Sequence, residues 1–131
     1  MTAANRRAGY PKEARIRKRR EYLETYRTGR KTFGRYVVVF GRLNGHQYPR
    51  LGITATRKLG KANVRNLRKR WTREIFRENR VETGLDALGL DLVVNIKPGA
   101  AAADFSSFRE DLLQALRRAA RDARRSAEEG R

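Results

Sequence analysis

The chain has 131 residues, enough for one domain with a modest core, and its 39% hydrophobic content is low yet above that of a wholly disordered chain. It has no cysteine, which excludes a disulfide framework and thiolate chemistry and fits a reducing cytosol, and no apolar run nears the roughly 20 residues a bilayer span needs. The formal net charge of +18, from 32 basic and 14 acidic residues, predicts an anionic partner, either nucleic acid or an anionic membrane surface.

In chain order, the first dozen residues, MTAANRRAGYPK, are basic and lack periodicity. Residues 1–14 are expected to form a disordered arm. No apolar stretch follows them, so no export signal is read and a soluble, cytoplasmic protein is expected. Arg17 to Arg27 reads as a short helix closed by Gly29, with Leu23 inward and Tyr22 and Tyr26 paired at (i, i+4). Phe33 to Arg42 reads as a strand because Tyr36 to Phe40 are all β-branched or aromatic. Asn44-Gly45 marks a turn, and a second strand runs from Arg50 to Thr56.

Arg57 to Arg80 then places ten basic and two acidic residues on one helix and its leading loop. From about Asn63, the residues Val64, Leu67, Trp71 and Ile75 fall within roughly 80° of one another at 3.6 residues per turn. Arg65, Asn66, Lys69, Arg70, Arg73 and Arg77 occupy roughly 140° of the far side. Arg65 with Lys69, and Lys69 with Arg73, are like charges at (i, i+4) and must repel, so this is more than a solvated face. The charge is localised: residues 1–31 and 57–80 each carry net +8, whereas residues 81–131 carry −1.

A loop through Gly84 and Gly89 leads to a strand from Leu90 to Ile96, stopped by Pro98. The last helix is expected to start near Ser107, which with Glu110 matches a capping box, and to reach about Arg125. It turns Phe108, Leu112, Leu116 and Ala119 or Ala120 inward, and residues 126–131 are expected to form a disordered tail. Residues 15–125 thus make a single α+β domain with one small sheet.

Catalytic constellations are missing. His46 is the only histidine and sits in a turn, so a metal cluster or serine triad is not expected. Gly60-Lys61 lacks the upstream glycine and the following Ser or Thr of a phosphate loop.

Taken in order, Arg50-Leu-Gly-Ile-Thr, Arg57-Lys58-Leu-Gly60 and Arg65-Asn66-x-x-Lys69-Arg70-x-x-Arg73-Glu74-x-Phe76-Arg77 closely resemble the protein subunit of bacterial ribonuclease P. Ile16 followed by Tyr22, Tyr26 and Gly29 resembles that family's first helix, and Lys97-Pro98 its basic-Pro step. The resemblance implies an α-β-β-β-α-β-α order with a left-handed βαβ crossover, against the right-handed default. It implies a small basic protein that assists a catalytic RNA subunit, which uses magnesium to remove the 5′ leader of precursor tRNA. The RNA subunit and precursor tRNA would be the partners, with no membrane and no obligatory protein partner.

By the same resemblance, Arg65, Asn66, Lys69, Arg70 and Arg73 would meet the RNA subunit or its ions, with Arg57, Lys58 and Lys61 at the loop. Tyr22, Tyr26 and Phe40 match positions lining a leader cleft, although without the resemblance their chemistry favours ordinary core packing. The family usually reads Arg-Asn-Arg-apolar-Lys-Arg, and here the third and fourth positions are exchanged to Leu67 and Arg68. Leu67 is expected to join the apolar stripe. Arg68, beside Ile75, is expected to extend its head to solvent or RNA, and it and Arg77 are counted with the residues that would meet the RNA subunit. Phe76 points toward the basic side and the stripe does not explain it. A ribosomal or other structural RNA-binding protein would share the charge and fold class, and a nonspecific DNA binder fits less well because no helix-turn-helix partner or dimer seam is visible.

Overall fold

In the computed structural model, residues 14–129 are described. The elements are α1 (Arg19–Thr28), β1 (Arg30–Phe33), β2 (Val37–Leu43), β3 (Arg50–Ala55), α2 (Ala62–Asn79), β4 (Leu90–Ile96) and α3 (Phe105–Glu129). Short 3₁₀ turns lie at Arg57–Leu59, Leu85–Ala87 and Pro98–Ala102. The order is that of an α+β domain with one four-stranded mixed sheet, β1-β2-β4-β3. Among the described residues, no helix is long and apolar enough to cross a membrane.

The apolar run expected as one strand is two. Residues 34–36 turn the chain so that β1 pairs antiparallel with β2, Phe33 opposite Val38. The Asp111 carboxylate of α3 accepts hydrogen bonds from the backbone N–H groups of Arg35 and Tyr36, each at 2.8 Å, which fixes this turn. A β-carbon at Gly34 would stand 2.7 Å from Asp111 Oδ2, so that position has room only for glycine. Lys97 Nζ donates to the Gly34 carbonyl at 2.8 Å, tying the end of β4 to the same turn.

Strand β4 enters the sheet between β2 and β3, antiparallel to the first and parallel to the second. Parallel neighbours need a crossover, and α2 provides it. Side chains alternate across the sheet. One face presents Val37, Val39, Leu51, Leu92, Val94 and Ile96, all buried with Ile75 and Phe76 of α2 and Phe108, Leu112 and Leu116 of α3. Each such side chain contributes about 1.5–3 kcal/mol when removed from water. The other face carries Phe40 and Val93, which among the described residues are covered by α1 and the segment before it.

Helix boundaries differ from the sequence expectation for local reasons. In α1, Leu23 is 51% exposed, and Thr25 takes the inward position because its hydroxyl bonds back to the Glu21 carbonyl at 2.8 Å. Helix α3 begins two residues before Ser107, because Asp104 rather than Ser107 is the cap: its Oδ1 accepts from the Ser107 N–H at 2.7 Å. Its expected inward residues are all buried, and the buried stripe continues through Ala123. Residues 126–129, expected as tail, are helical, while the arm expected over residues 1–14 lies outside the described residues up to Ala14, which is buried.

Candidate nucleic-acid interface

Helix α2 buries a face different from the one its apolar residues suggest. Its buried residues are Arg68, Thr72, Ile75, Phe76 and Asn79, a stripe rotated by roughly 80° from the expected Val64-Leu67-Trp71-Ile75 line. The polar members satisfy themselves locally. Thr72 Oγ1 donates to the Arg68 carbonyl at 2.9 Å, and Asn79 Nδ2 to the Ile75 carbonyl at 2.8 Å. Phe76, unexplained by the expected stripe, is 1% exposed and in the core, whereas Leu67 is 39% exposed.

Arg68 is the main correction. Its guanidinium does not reach solvent. Nε donates to the Ala100 carbonyl at 2.9 Å and a terminal nitrogen to the Ala101 carbonyl at 2.7 Å. The same group lies 4.3 Å from the Trp71 ring centre, a cation–π contact. Arg68 therefore fastens α2 to the 3₁₀ turn after β4.

The rotation sorts the other cations of α2 into two sets. Lys69 and Arg73 flank the buried stripe and line a groove with Arg15, Ile16, Arg17, Tyr22, Leu51, Gly52 and Ile53. Arg65 is half-buried on the same flank, while Asn66 and Arg70 face outward. Arg57, Lys58 and Lys61 are exposed at the N-terminal approach, where Gly60 holds φ +145°, a conformation that favours glycine. Arg77 is already engaged by Glu74 at 2.6 Å and Glu78 at 3.4 Å. Its guanidinium holds the Glu74 carboxyl below the usual carboxylate range.

The groove's other wall is Tyr22 with Leu51, Gly52 and Ile53, and behind Tyr22 the aromatic cluster continues through Tyr26 and Phe40, which do not line the groove. Tyr26 meets Phe40 edge to face at 4.9 Å, and its hydroxyl bonds Thr54 Oγ1 and Asn95 Oδ1, both at 2.8 Å. The Tyr22 hydroxyl accepts the Ile53 N–H at 3.3 Å, and burial pushes its pKa up, so it stays a neutral phenol with a proton to donate. Gly52 makes this possible, since a β-carbon there would lie 2.7 Å from the Tyr22 ring. Phe40 is 9% exposed, with Lys31 Nζ 5.7 Å from its ring centre. Of the three aromatics expected together, all three meet in one cluster; Tyr22 and Tyr26 remain half-buried and Phe40 forms the floor.

Arg50 anchors the assembly, although the sequence offered no role for it. It donates from Nε to Asp91 Oδ1 at 2.8 Å and from a terminal nitrogen to Oδ2 at 2.7 Å, and also reaches Glu21 of α1 at 3.2 Å. Asp91 is fully buried and also accepts from Asn44 Nδ2 at 2.8 Å. This bidentate partner raises the Arg50 pKa still further. Arg15 and Arg17 also escaped notice, because the basic run before α1 showed charge but not position. Ile16 N donates to the Leu51 carbonyl at 3.0 Å, laying this segment along the β3 edge and against the groove.

Fold and site together define a small α+β protein whose single crossover helix presents cations beside a groove that Tyr22 lines. The ribonuclease P family matches residues 10–120. The ribonuclease P protein component of Thermotoga maritima is 41% identical over 113 residues, covering 83% of this chain and 94% of that one. That of Desulfovibrio desulfuricans is 38% identical, covering 85% and 86%. The solved structure of the Thermotoga maritima protein superposes with a TM-score of 0.71 at 42% identity, over 79% of this chain and 96% of that one. The Staphylococcus aureus protein gives 0.74 at 29% identity, over 81% and 94%. The chain belongs to the bacterial ribonuclease P protein family and is the protein subunit of that tRNA-processing enzyme.

Proposed function

We propose that the groove between α1 and α2 takes the single-stranded 5′ leader of precursor tRNA, while the outward side of α2 and its N-terminal approach meet the RNA subunit. The observation that carries this reading is the convergence of Tyr22 with Lys69 and Arg73 on one groove. Stacking on tyrosine tolerates any base, and flanking cations track a backbone whatever its sequence, which suits leaders that vary. Arg57, Lys58, Lys61, Asn66 and Arg70 are the residues assigned to the RNA subunit, with Arg65 at the boundary. Arg68 is assigned to the fold, and Arg77 is a weaker candidate because two carboxylates already engage it.

Chemistry in this reading stays with the RNA and its magnesium ions, in the cytoplasm. Among the described residues no three His, Cys, Asp or Glu side chains come together as a metal site. The protein's own contribution is positive charge, which replaces part of the screening otherwise left to ions. Reconstitution tests this: purified protein, a bacterial ribonuclease P RNA and precursor tRNA are combined at low magnesium. The protein alone should cleave nothing and should lower the magnesium the RNA requires. Cleavage by protein freed of RNA, or an unchanged magnesium requirement, would overturn the reading.

A further inference from the structure

The flank of α2 opposite the groove carries an apolar ledge that the proposed function does not use. Phe105, the first residue of α3, is 40% exposed and Leu67 39% exposed. Between them stands Trp71, one turn beyond Leu67, with its ring 5.3 Å from that of Phe105 in an edge-to-face contact. Trp71 is held from behind by the Arg68 guanidinium at 4.3 Å and by Phe108 at 5.7 Å. The ledge is thus rigid, aromatic and open to solvent.

Cations stand on both sides of it, with the Glu74 carboxylate beside Arg70 and Asp104 beside Phe105. Arg70 follows Leu67 at (i, i+3) and Arg109 follows Phe105 at (i, i+4), and both are exposed. An apolar patch bordered by guanidinium groups complements a nucleotide, which offers a π-face and an anionic backbone together. A second copy of this chain, itself at net +18, would bring like charge to the same place. We infer that the ledge formed by Leu67, Trp71 and Phe105 takes an unstacked nucleobase of the RNA subunit, with the neighbouring phosphates at Arg70 and Arg109. The inference rests on the subunit reading above.

Trp71 is the only tryptophan in the chain, so its fluorescence reports on the ledge directly. The full-length protein is titrated with a transcribed bacterial ribonuclease P RNA at several salt concentrations, beside the double variant Leu67→Ala, Phe105→Ala and the single variant Phe105→Tyr. RNA should quench Trp71 in the parent. The double variant should bind about five- to a hundred-fold more weakly, the loss expected for one stacked base, with an unchanged salt slope because no phosphate contact is removed. Phe105→Tyr keeps the ring and should bind as the parent does. Parent-like affinity in the double variant overturns the inference, and so does a loss that comes with a reduced salt slope. Self-association of the RNA-free parent that the double variant abolishes would assign the ledge to a second copy and overturn it too. A parent that fails to bind this RNA at all removes the subunit reading, whereas a parent that binds beside an unaffected variant removes the ledge alone.

Discussion

Two arginines of α2, three residues apart, show how neighbouring cations divide between the core and the groove. Arg68 is 8% exposed and donates to two backbone carbonyls, so Arg68→Ala takes a donor from each, leaving that of Ala100 with the Ala103 N–H, and opens the space beside Trp71. Its hydrogen bonds are charge-assisted, and the loss should be about 2–4 kcal/mol, read as a lowered denaturation midpoint. Arg65 lies across the buried stripe, at the groove flank. Arg70, which is exposed, should change stability by less than about 0.5 kcal/mol when replaced by alanine. A parent-like midpoint for Arg68→Ala would show that the clamp is idle.

Asp104 gives a pH-dependent counterpart. The Ser107 N–H holds its carboxyl below the usual carboxylate range. A depressed native pKa means stability that is present above the unfolded pKa and is lost as pH falls through the folded one. Asp104→Ala should therefore lower Tm at neutral pH, and the gap to the parent should close as the solution is acidified through the range where Asp104 takes up its proton. A gap that stays constant through acid titration would mean that the cap acts through something other than its charge.

Among elements, α2 and α1 set the groove, and the α2 side can be altered without touching the core. Replacing Lys69 and Arg73 with alanine removes two groove cations while Ile75 and Phe76 stay buried. Losing two phosphate contacts should flatten the log–log salt dependence of RNA binding by about one to two units. An unchanged slope with a lowered melting temperature would mean that these side chains are structural. On the opposite wall, Gly52→Ala places a methyl group where the Tyr22 ring now lies, forcing the ring aside. Overpacking of this kind costs about 1–3 kcal/mol. In a variant confirmed to be folded, precursor tRNA should bind more weakly while mature tRNA, which has no leader, is held as before. Equal losses for both RNAs would remove Tyr22 from the leader groove.

At the scale of the molecule, the charge distribution and the element order, apart from the split between β1 and β2, were legible because both are local properties of the chain. The run from Val37 to Phe40 makes a strand wherever it is placed, and the α3 stripe of Phe108, Leu112 and Leu116 reads directly as a buried face. What stayed hidden depends on partners distant in sequence. The rotation of α2 arises because Arg68 finds carbonyls 32 and 33 residues away, and Thr72 and Asn79 can be buried by bonding to their own helix. A scale that ranks residues by hydrophobicity must expose all three. The split between β1 and β2 needed Asp111, some 75 residues downstream, to fix the turn. Of the site, the aromatic trio and the basic helix were visible as residues. That Lys69, Arg73 and Tyr22 share a groove was not.

The place of β4 in the sheet also sets a timetable. Strand β3 has its one sheet neighbour in β4, so its inner edge stays unpaired until the chain has been made through Ile96. By then the cationic helix α2 has already been synthesised, without the floor on which it rests. A ribosome releasing this protein therefore exposes its most RNA-attracting segment before the scaffold that restricts what it can bind, and folding must wait for contacts of long sequence separation. Chains stopped before Leu90 should show no cooperative unfolding transition and should hold RNA without regard to its structure. Chains extended through α3 should gain the transition and the discrimination together.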